Sequence, residues 1–326
     1  MTTLSDTSNL KSGKGDENIL ALKPQTNVRG DSNLRRSLRA LRNHRMALVG
    51  AGILVAIILY VIVGAFFVPY SASIYNDPSR KLQAPSAEHI FGTDSIGRDI
   101  FARTIWGGQV SLFIGFTAVI VQILLGTLVG LLAGYLGGIV DTVLMRITEA
   151  MLSIPQLFFA LVIVKIFSNP DRLKETFGAA WTLFADGTLI VIFVIGLTSW
   201  MRVSRIVRSV VLSVKEQEYV TAARSIGMTS SRIVFRHVLP NCVAPIIVAA
   251  TLGVAGAILL EAYLGFLGIG VRAPAATWGN IINDAYRFIG EWYYWFFPAI
   301  FIILTVLGIN FLGDGLRDAL DPRSLK

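Results

Sequence analysis

The chain has 326 residues, of which 54% are hydrophobic and only 15% are charged, and its mean hydropathy is +0.63. This composition excludes an ordinary soluble domain and predicts an all-α protein of the lipid bilayer. The formal net charge is +8, but basic residues also mark the cytoplasmic ends of membrane spans, so the charge indicates orientation and argues against nucleic-acid binding.

Apolar segments long enough to cross a hydrocarbon core of about 30 Å recur along the chain. We predict six spans, over residues 46–68, 110–134, 141–167, 187–203, 243–270 and 295–313. The fourth span is short and is expected to borrow length from the helical pattern that follows it. An even number of spans places both termini on one side. Most of the 29 Lys and Arg residues then lie on that side, which is therefore predicted to be the cytoplasm.

These spans divide the chain into a basic tail, a first span, a periplasmic segment and a core of five spans. The predicted bounds are 1–45, 46–68, 69–105 and 106–326. Arginines crowd the end of the cytoplasmic tail, where they anchor the first span and can contact anionic membrane lipid. The first apolar run is too long for a signal peptide, so we expect it to remain as a membrane anchor. The single cysteine, Cys242, excludes an intramolecular disulfide.

The second and third spans carry signals for helix packing and for a kink. Gly126, Gly130 and Gly134 form two overlapping G-x-x-x-G steps on one helical face. Small residues at this spacing let another helix approach closely, so the second span is expected to be buried. Pro155 is placed to kink the third span.

After the fourth span the pattern becomes amphipathic, and a long internal loop follows at residues 215–241. Arg202, Arg205 and Arg208 recur at three-residue spacing between apolar residues, which predicts a helix on the cytoplasmic side. The loop that follows is longer than a bundle connection requires, which indicates that it has a function.

Within this loop the sequence EYVTAARSIGMTSSRIVFRHVLPN predicts two short helices at an angle. The first covers residues 218–225, and Gly227 permits a sharp reversal after it. Ser230 and Ser231 are placed to cap the second helix, which Pro240 is expected to end before the fifth span.

The loop resembles the EAA motif of bacterial ABC importer permeases. In that motif EAA is followed by three residues, a glycine, nine residues and I-x-LP. Thr221, Ala222 and Ala223 align with EAA, Gly227 aligns with the glycine, and the terminal LP is matched by Leu239–Pro240. Thr221 stands in place of the usual glutamate, as is common in the peptide and nickel branch, and the isoleucine is absent.

The resemblance implies that this element is a coupling helix, which sits in a groove on a nucleotide-binding subunit. Tyr219, Ala222, Ala223 and Gly227 are then expected to face that partner. Because small side chains let a partner surface come close, we expect Ala222 and Ala223 to point outward. Glu218 is a candidate acidic contact in place of the missing motif glutamate.

Three further segments indicate which branch of these permeases the chain resembles. Residues 91–103 (FGTDSIGRDIFAR), 134–155 and 258–270 resemble the C-type permease of dipeptide, oligopeptide and nickel importers, and the resemblance covers residues 35–326. It implies an ABC importer type I permease fold in the bacterial cytoplasmic (inner) membrane. The implied partners are a second, B-type permease subunit, two ATP-binding subunits that hold ATP and Mg, and an extracytoplasmic substrate-binding protein.

The chain itself is expected to be non-catalytic, because it has no G-x-x-x-x-G-K-[ST] loop to hold nucleotide phosphates and no cofactor motif. Dipeptides or oligopeptides are the favoured substrate, with nickel, opines or other small solutes as alternatives. A secondary transporter driven by an ion gradient is the alternative from a different class. It would require internal repeats with carboxylates at the membrane midplane.

Charged residues in the external segment have two possible roles. Asp94, Arg98 and Asp99 could contact the binding protein or line an external gate, because charges on exposed loops steer partners. The equally weighted alternative is a loop stabilised by its own Asx turns and ion pairs.

Other ionisable residues fall within the predicted spans. Glu261 lies in the fifth span, and an ionisable side chain at membrane depth is a functional candidate by default. The favoured interpretation is nevertheless a structural role, in which Glu261 forms a hydrogen bond within the bundle. Arg146 and Glu149 are three residues apart and are expected to pair on one helical face. The three histidines are scattered, so no metal site is predicted.

Overall fold

The computed structural model describes residues 39, 41–167, 169, 174–175, 178, 182 and 184–320. Most of the tail predicted at residues 1–45 therefore lies outside the described residues, as do eleven of the twenty residues from 168 to 187. The main helices are α1 (Arg45–Phe67), α2 (Tyr70–Ile74), α3 (Ile100–Leu136), α4 (Gly138–Leu152), α5 (Gln156–Phe167), α6 (Thr188–Lys215), α7 (Glu218–Ser225), α8 (Ser230–Ile233), α9 (Leu239–Phe266), α10 (Trp278–Tyr286) and α11 (Trp292–Leu320). A π-helical turn, Val234–Val238, joins α8 to α9.

Five helical segments in the described part of the chain are long and apolar enough to cross a membrane. They are α1, α3, α6, α11 and the continuous stretch Ser230–Phe266, which contains α8 and α9. The helices α4 and α5 together form a sixth span, which is bent by 92° at a short break. Pro155 lies in this break, as predicted. The predicted all-α fold with six spans is therefore confirmed, with the bent pair counted as one span.

One predicted boundary differs from the helices in the structure, and the expected lengthening of the fourth span is present. The helix α3 begins at Ile100, so the division drawn between residues 105 and 106 falls inside the first helix of the core. The cause is an N-cap that the hydropathy pattern does not register: the Asp99 side chain accepts a hydrogen bond from the backbone N of Ala102 at 2.9 Å. The fourth span is continuous with the amphipathic helix, because α6 extends from Thr188 to Lys215.

The glycine face predicted on the second span packs against α6. Gly126, Gly130 and Gly134 are all buried, and each lies against a valine of α6. A β-carbon built at Gly130 would lie 2.6 Å from the carbonyl oxygen of Ser204, which is closer than real contacts allow. The two backbones are therefore in direct contact, as the G-x-x-x-G spacing predicts.

A single apolar cluster holds α3, α5, α6 and α9 together. Its fully buried members include Ile114 on α3, Ile195 on α6, and Ile258 and Leu264 on α9. A second cluster joins the segment between α6 and α9 to α6. The long helix α3 connects the two ends of the bundle. The segment containing Asp94 lies at its N-terminus, and Arg224 of α7 lies 6.0 Å from the ring of Tyr135 near its C-terminus.

Candidate functional site

The loop between α6 and α9 contains a sharp reversal at Gly227. The backbone N of Gly227 donates to the carbonyl of Arg224 at 2.9 Å, and the N of Met228 donates to Ala223 at 3.1 Å. These two bonds form a Schellman motif, which closes a helix when the following residue adopts a left-handed conformation. Gly227 has a φ of 79°, where glycine carries no steric penalty. The predicted reversal is therefore confirmed.

This loop is anchored to α6 by buried apolar side chains. Val220 of α7, Ile233 of α8 and Val238 of the π-helical turn are each 0–1% exposed. They pack in one cluster with Val207 and Val211 of α6. The loop is therefore packed closely against α6 and the start of α9.

The opposite side of the loop exposes large apolar side chains. Tyr219 is 45% exposed, Ile226 is 79% exposed and Phe235 is 68% exposed. Exposed apolar side chains in a loop of this kind are typical of a surface that a partner covers. Ile226 and Phe235 were not singled out in the sequence. Their sequence signal was that a large apolar residue, Phe235 or Ile226, stands among polar residues of a loop.

Most of the predicted coupling residues lie on this exposed side. Glu218, Thr221, Ala222 and Gly227 are exposed together with Tyr219. Ala223 is the exception: its side chain is only 5% exposed, so the prediction that it points outward is wrong. The physical reason is helical spacing, because a residue three positions after the buried Val220 returns to the same face of α7.

Two predicted details of the second short helix are also corrected. Its N-cap is Thr229, and no side-chain capping bond is present, so Ser230 and Ser231 do not cap it. Pro240 does not end the helix but lies in the first turn of α9. The π-helical turn Val234–Val238 directly precedes α9, and local π-helical adjustment is one way in which a helix accommodates a proline.

At the opposite end of α3, Asp94 is the centre of a buried charge network. Its carboxylate accepts hydrogen bonds from the backbone N atoms of Ile96 and Arg98 at 3.0 and 2.9 Å. It also accepts from Arg98 Nε at 2.6 Å and from Arg103 Nη1 at 2.7 Å. Both arginines then donate to Asp284 of α10 at 3.0 Å. Two cations and two carboxylates therefore join the segment before α3 to α3 and α10.

This geometry favours one of the two roles considered for Asp94, Arg98 and Asp99. Asp94 is 0% exposed and Arg98 is 8% exposed, so neither side chain is available as an exposed docking contact. Asp99 caps α3 and lies 2.7 Å from Nδ1 of His89. The interpretation as a loop stabilised by its own Asx turns and ion pairs describes all three residues.

Glu261 lies within α9 and is 1% exposed. Ser111 of α3 donates a hydrogen bond to its Oε2 at 2.9 Å, and Ser111 Oγ in turn accepts from the backbone N of Trp278 at 3.2 Å. The carboxyl group therefore joins α3, α9 and α10, which fits the favoured structural interpretation. Its second oxygen, Oε1, is buried without a hydrogen-bond partner in the described part of the chain.

We expect Glu261→Gln to leave ATP-driven uptake close to that of the unmodified transporter. Glutamine keeps an oxygen that can accept the Ser111 hydrogen bond, and it carries no ionisable proton. Uptake by vesicles that contain the assembled transporter measures this. Glu261→Ala is the comparison, because it removes the acceptor and should lower thermal stability. Complete loss of uptake in Glu261→Gln alone would instead indicate that Glu261 carries a proton or an ion.

The remaining ionisable groups have structural roles. Arg146 and Glu149 pair at 3.2 Å on an exposed face of α4, which confirms the predicted pairing. Arg208 binds Asp141 through two hydrogen bonds of 2.5 and 2.6 Å, joining α6 to α4. Among the residues that the structure describes, no three His, Cys, Asp or Glu side chains gather as potential metal ligands.

Comparison with known proteins identifies the family of this chain. Residues 126–326 match the model for the binding-protein-dependent transport system inner membrane component. Residues 32–85 match the model for the N-terminal TM domain of oligopeptide transport permease C. The first match contains α6, the loop with Gly227 and α9, and the second contains the tail end and α1.

Curated relatives align over most of their length. The dipeptide transport system permease protein DppC of Alkalihalophilus pseudofirmus is 41% identical over 304 residues, which is 92% of this chain and 93% of the relative. The oligopeptide transport system permease protein OppC of Bacillus subtilis is 39% identical over 287 residues, covering 87% and 88%. OppC of Haemophilus influenzae is 34% identical over 302 residues, covering 91% and 90%.

The family match accounts for the apolar helical bundle and for the absence of a nucleotide-binding loop from the sequence. A membrane component of this kind has no catalytic role of its own, because ATP hydrolysis is carried out by separate ATPases. The chain belongs to the family of inner membrane permease components of binding-protein-dependent transport systems.

Proposed function

We propose that this chain is the C-type permease subunit of an ATP-binding-cassette importer that moves dipeptides or oligopeptides into the cytoplasm. The relatives that align over about nine tenths of the chain are named as dipeptide and oligopeptide permeases. The loop with Gly227 and both termini lie on the cytoplasmic side in this proposal, which the distribution of Lys and Arg supports.

The observation that carries the proposal is the two-sided loop between α6 and α9. One side is fixed to the membrane helices by Val220, Ile233 and Val238. The other side exposes Tyr219, Ile226 and Phe235. We propose that an ATP-binding subunit covers this exposed side, so that closure of two such subunits around ATP and Mg moves α6 and α9. A B-type permease and an extracytoplasmic substrate-binding protein complete the assembly.

A cysteine at Ala222 tests whether a partner covers this surface. The native Cys242 is 0% exposed, so it should remain silent towards a hydrophilic maleimide. We expect Ala222→Cys to be protected in the assembled transporter and to react after the ATP-binding subunits are removed. Glu88→Cys is the matched control, because Glu88 lies in the external segment with a side chain that is 69% exposed. It should react equally in both preparations.

A bulky residue at the same position tests the coupling itself. Ala222 is exposed, so Ala222→Trp should fold normally. We expect ATP-driven peptide uptake to fall at least about tenfold. A loss of about 1.4 kcal/mol in the binding free energy of the partner already lowers its affinity tenfold. Equal labelling of Ala222→Cys in both preparations, together with normal uptake by Ala222→Trp, would overturn the coupling proposal.

The cargo is tested separately by offering peptide and nickel to vesicles that contain the complete transporter. We expect ATP-dependent uptake of a dipeptide or tripeptide, and no ATP-dependent uptake of radioactive nickel. An ion gradient applied without ATP should drive neither. Of the described residues, Glu261 is the single carboxylate fully buried in a membrane-spanning helix, which offers little support for a gradient-driven mechanism.

A further inference from the structure

A recess of about 500 Å³ with several polar side chains in its lining lies between the membrane helices. It is bordered by α3, by the break between α4 and α5, and by α6 and α9. A volume of this size lies within the range of sites that hold small organic ligands. No proposed coupling residue and no member of the Asp94 charge network lines it.

The position of the broken span supports a water-filled cavity. The chain between Leu152 and Gln156 is not helical, and Pro155 and both flanking residues line the cavity. Backbone without helical hydrogen bonds is tolerated at membrane depth only where protein buries it or where it lines a water-filled space. The 92° bend therefore places non-helical backbone along one wall of the cavity.

The polar side chains of the lining are neutral, with one exception. They are the amides of Gln122 and Gln156, the hydroxyls of Thr198 and Ser199, and the guanidinium of Arg202. Gln156 donates to Ser199 at 2.8 Å. Gln122 is 6% exposed, yet its amide makes no hydrogen bond within the described part of the chain. A side-chain amide can both donate and accept, so it can pair with the backbone of any peptide.

Arg202 is the only charged residue of the lining among the described residues. It forms no ion pair with any described carboxylate, in contrast to Arg208, which is held by Asp141. Arg202 is exposed and lines a cavity that has no acidic group among its described residues. Such a guanidinium favours an anionic oxygen pair, and a carboxylate matches its geometry. A peptide supplies this group at its C-terminus whatever its side chains are.

We propose that this cavity is the part of the peptide route contributed by this chain, with Arg202 receiving the terminal carboxylate and Gln122 pairing with the peptide backbone. The inference rests on the proposed function as a peptide permease. It deepens that function by naming the groups that recognise the cargo. The cavity is also joined to the coupling loop, because Arg202 lies on α6, whose last turns are packed against α7 and the π-helical turn.

Filling the cavity is the first test. A β-carbon added at Gly256 meets no atom within 4 Å, so Gly256→Leu should enter the cavity without disturbing the helix packing. Gly52 of α1 is equally open but lies outside the cavity, which makes Gly52→Leu the matched control. We expect uptake by Gly256→Leu to fall to the level seen without ATP, while assembly and thermal stability match those of Gly52→Leu, which should transport normally.

Removing the positive charge of Arg202 is the second test. Uptake is measured for one tripeptide in two forms, one with a free C-terminal carboxylate and one with a C-terminal amide. We expect Arg202→Gln to lower uptake of the free peptide about tenfold, the effect of losing one charge-assisted hydrogen bond, and to leave uptake of the amide unchanged. Arg205→Gln is the control, because Arg205 lies on the same helix outside the cavity. The binding protein is identical in all samples. Its own preference for the free or the amidated peptide therefore cancels when each variant is compared with the unmodified transporter.

The outcomes separate this inference from the proposed function. No ATP-dependent uptake of peptide by the unmodified transporter would contradict the proposed function itself. Normal peptide uptake that Gly256→Leu leaves intact would overturn the cavity assignment alone. An equal loss of free and amidated peptide in Arg202→Gln would show that Arg202 does not recognise the carboxylate.

Discussion

Asp94→Ala is expected to destabilise the folded chain by about 3 kcal/mol, because it leaves Arg98 and Arg103 facing a single carboxylate. Arg103 is 2% exposed, so its charge has little access to water. The estimate is taken from the lower end of the range for broken buried pairs, since the Asp284 side chain is 36% exposed. Thermal unfolding of the purified transporter in detergent or nanodiscs measures the loss.

Glu149→Ala is the matched control, because it also removes one carboxylate from an ion pair. The Arg146 and Glu149 side chains are 80% and 60% exposed, and pairs of this kind contribute about 0–1 kcal/mol. A second comparison uses Asp94→Asn with and without Arg103→Met. The double variant leaves Arg98 and Asp284 as one balanced pair, so we expect it to be more stable than Asp94→Asn alone. Equal stability of Asp94→Ala and Glu149→Ala would contradict the network's role.

The network also shows where sequence reasoning succeeds and where it stops. The Asx turn around Asp94 was foreseeable as an alternative, because its partners are two and four residues away. Asp284 was not, because it lies 190 positions further along the chain and reaches the network only through the packing of α10. Arg103 was not singled out, since burial of a single arginine leaves no mark in the local pattern.

The membrane helices were predictable because their apolar length is a local property of the chain. The same is true of the break at Pro155 and of the reversal at Gly227, where one residue type decides the backbone conformation. The outward direction assigned to Ala223 was wrong because it was inferred from residue size. Its position relative to Val220 would have placed it on the buried face of α7.

The cavity could not be predicted from the sequence, because its lining comes from four separate helical segments. Gln122 and Arg202 are eighty positions apart and have no shared motif. Only the bend between α4 and α5 had a sequence signal, and that signal says nothing about the residues that face the opening. The candidate coupling loop is continuous in sequence, which is why its main residues could be named in advance.

Gly130→Ala is expected to destabilise the chain by about 1–3 kcal/mol, the usual cost of forcing extra atoms into a packed interface. A β-carbon at this position would lie 2.6 Å from the Ser204 carbonyl oxygen and 2.7 Å from Cβ of Val207. Alanine has a higher helix propensity than glycine, so helix propensity alone would make this substitution stabilising. The expected destabilisation therefore comes from the contact with α6. Thermal unfolding measures the change.

Gly52→Ala is the matched control for this prediction. Gly52 lies in the membrane helix α1 and has no atom within 4 Å of an added β-carbon. Alanine there should be neutral or stabilising by up to about 1 kcal/mol, since it removes the conformational freedom of glycine. If Gly130→Ala proved as stable as Gly52→Ala, the backbones of α3 and α6 could not be in direct contact.

A second glycine on α3 distinguishes backbone contact from side-chain contact. The nearest obstacles at Gly115 are the Cγ1 and Cδ1 atoms of Ile258, at 2.6 and 3.2 Å. Ile258→Ala removes both atoms, so it should relieve much of the cost of Gly115→Ala in a double-mutant cycle. Val207→Ala should not rescue Gly130→Ala, because the Ser204 carbonyl and the β-carbon of residue 207 both remain. Rescue at Gly115 without rescue at Gly130 would identify α3 and α6 as the pair of helices held by direct backbone contact.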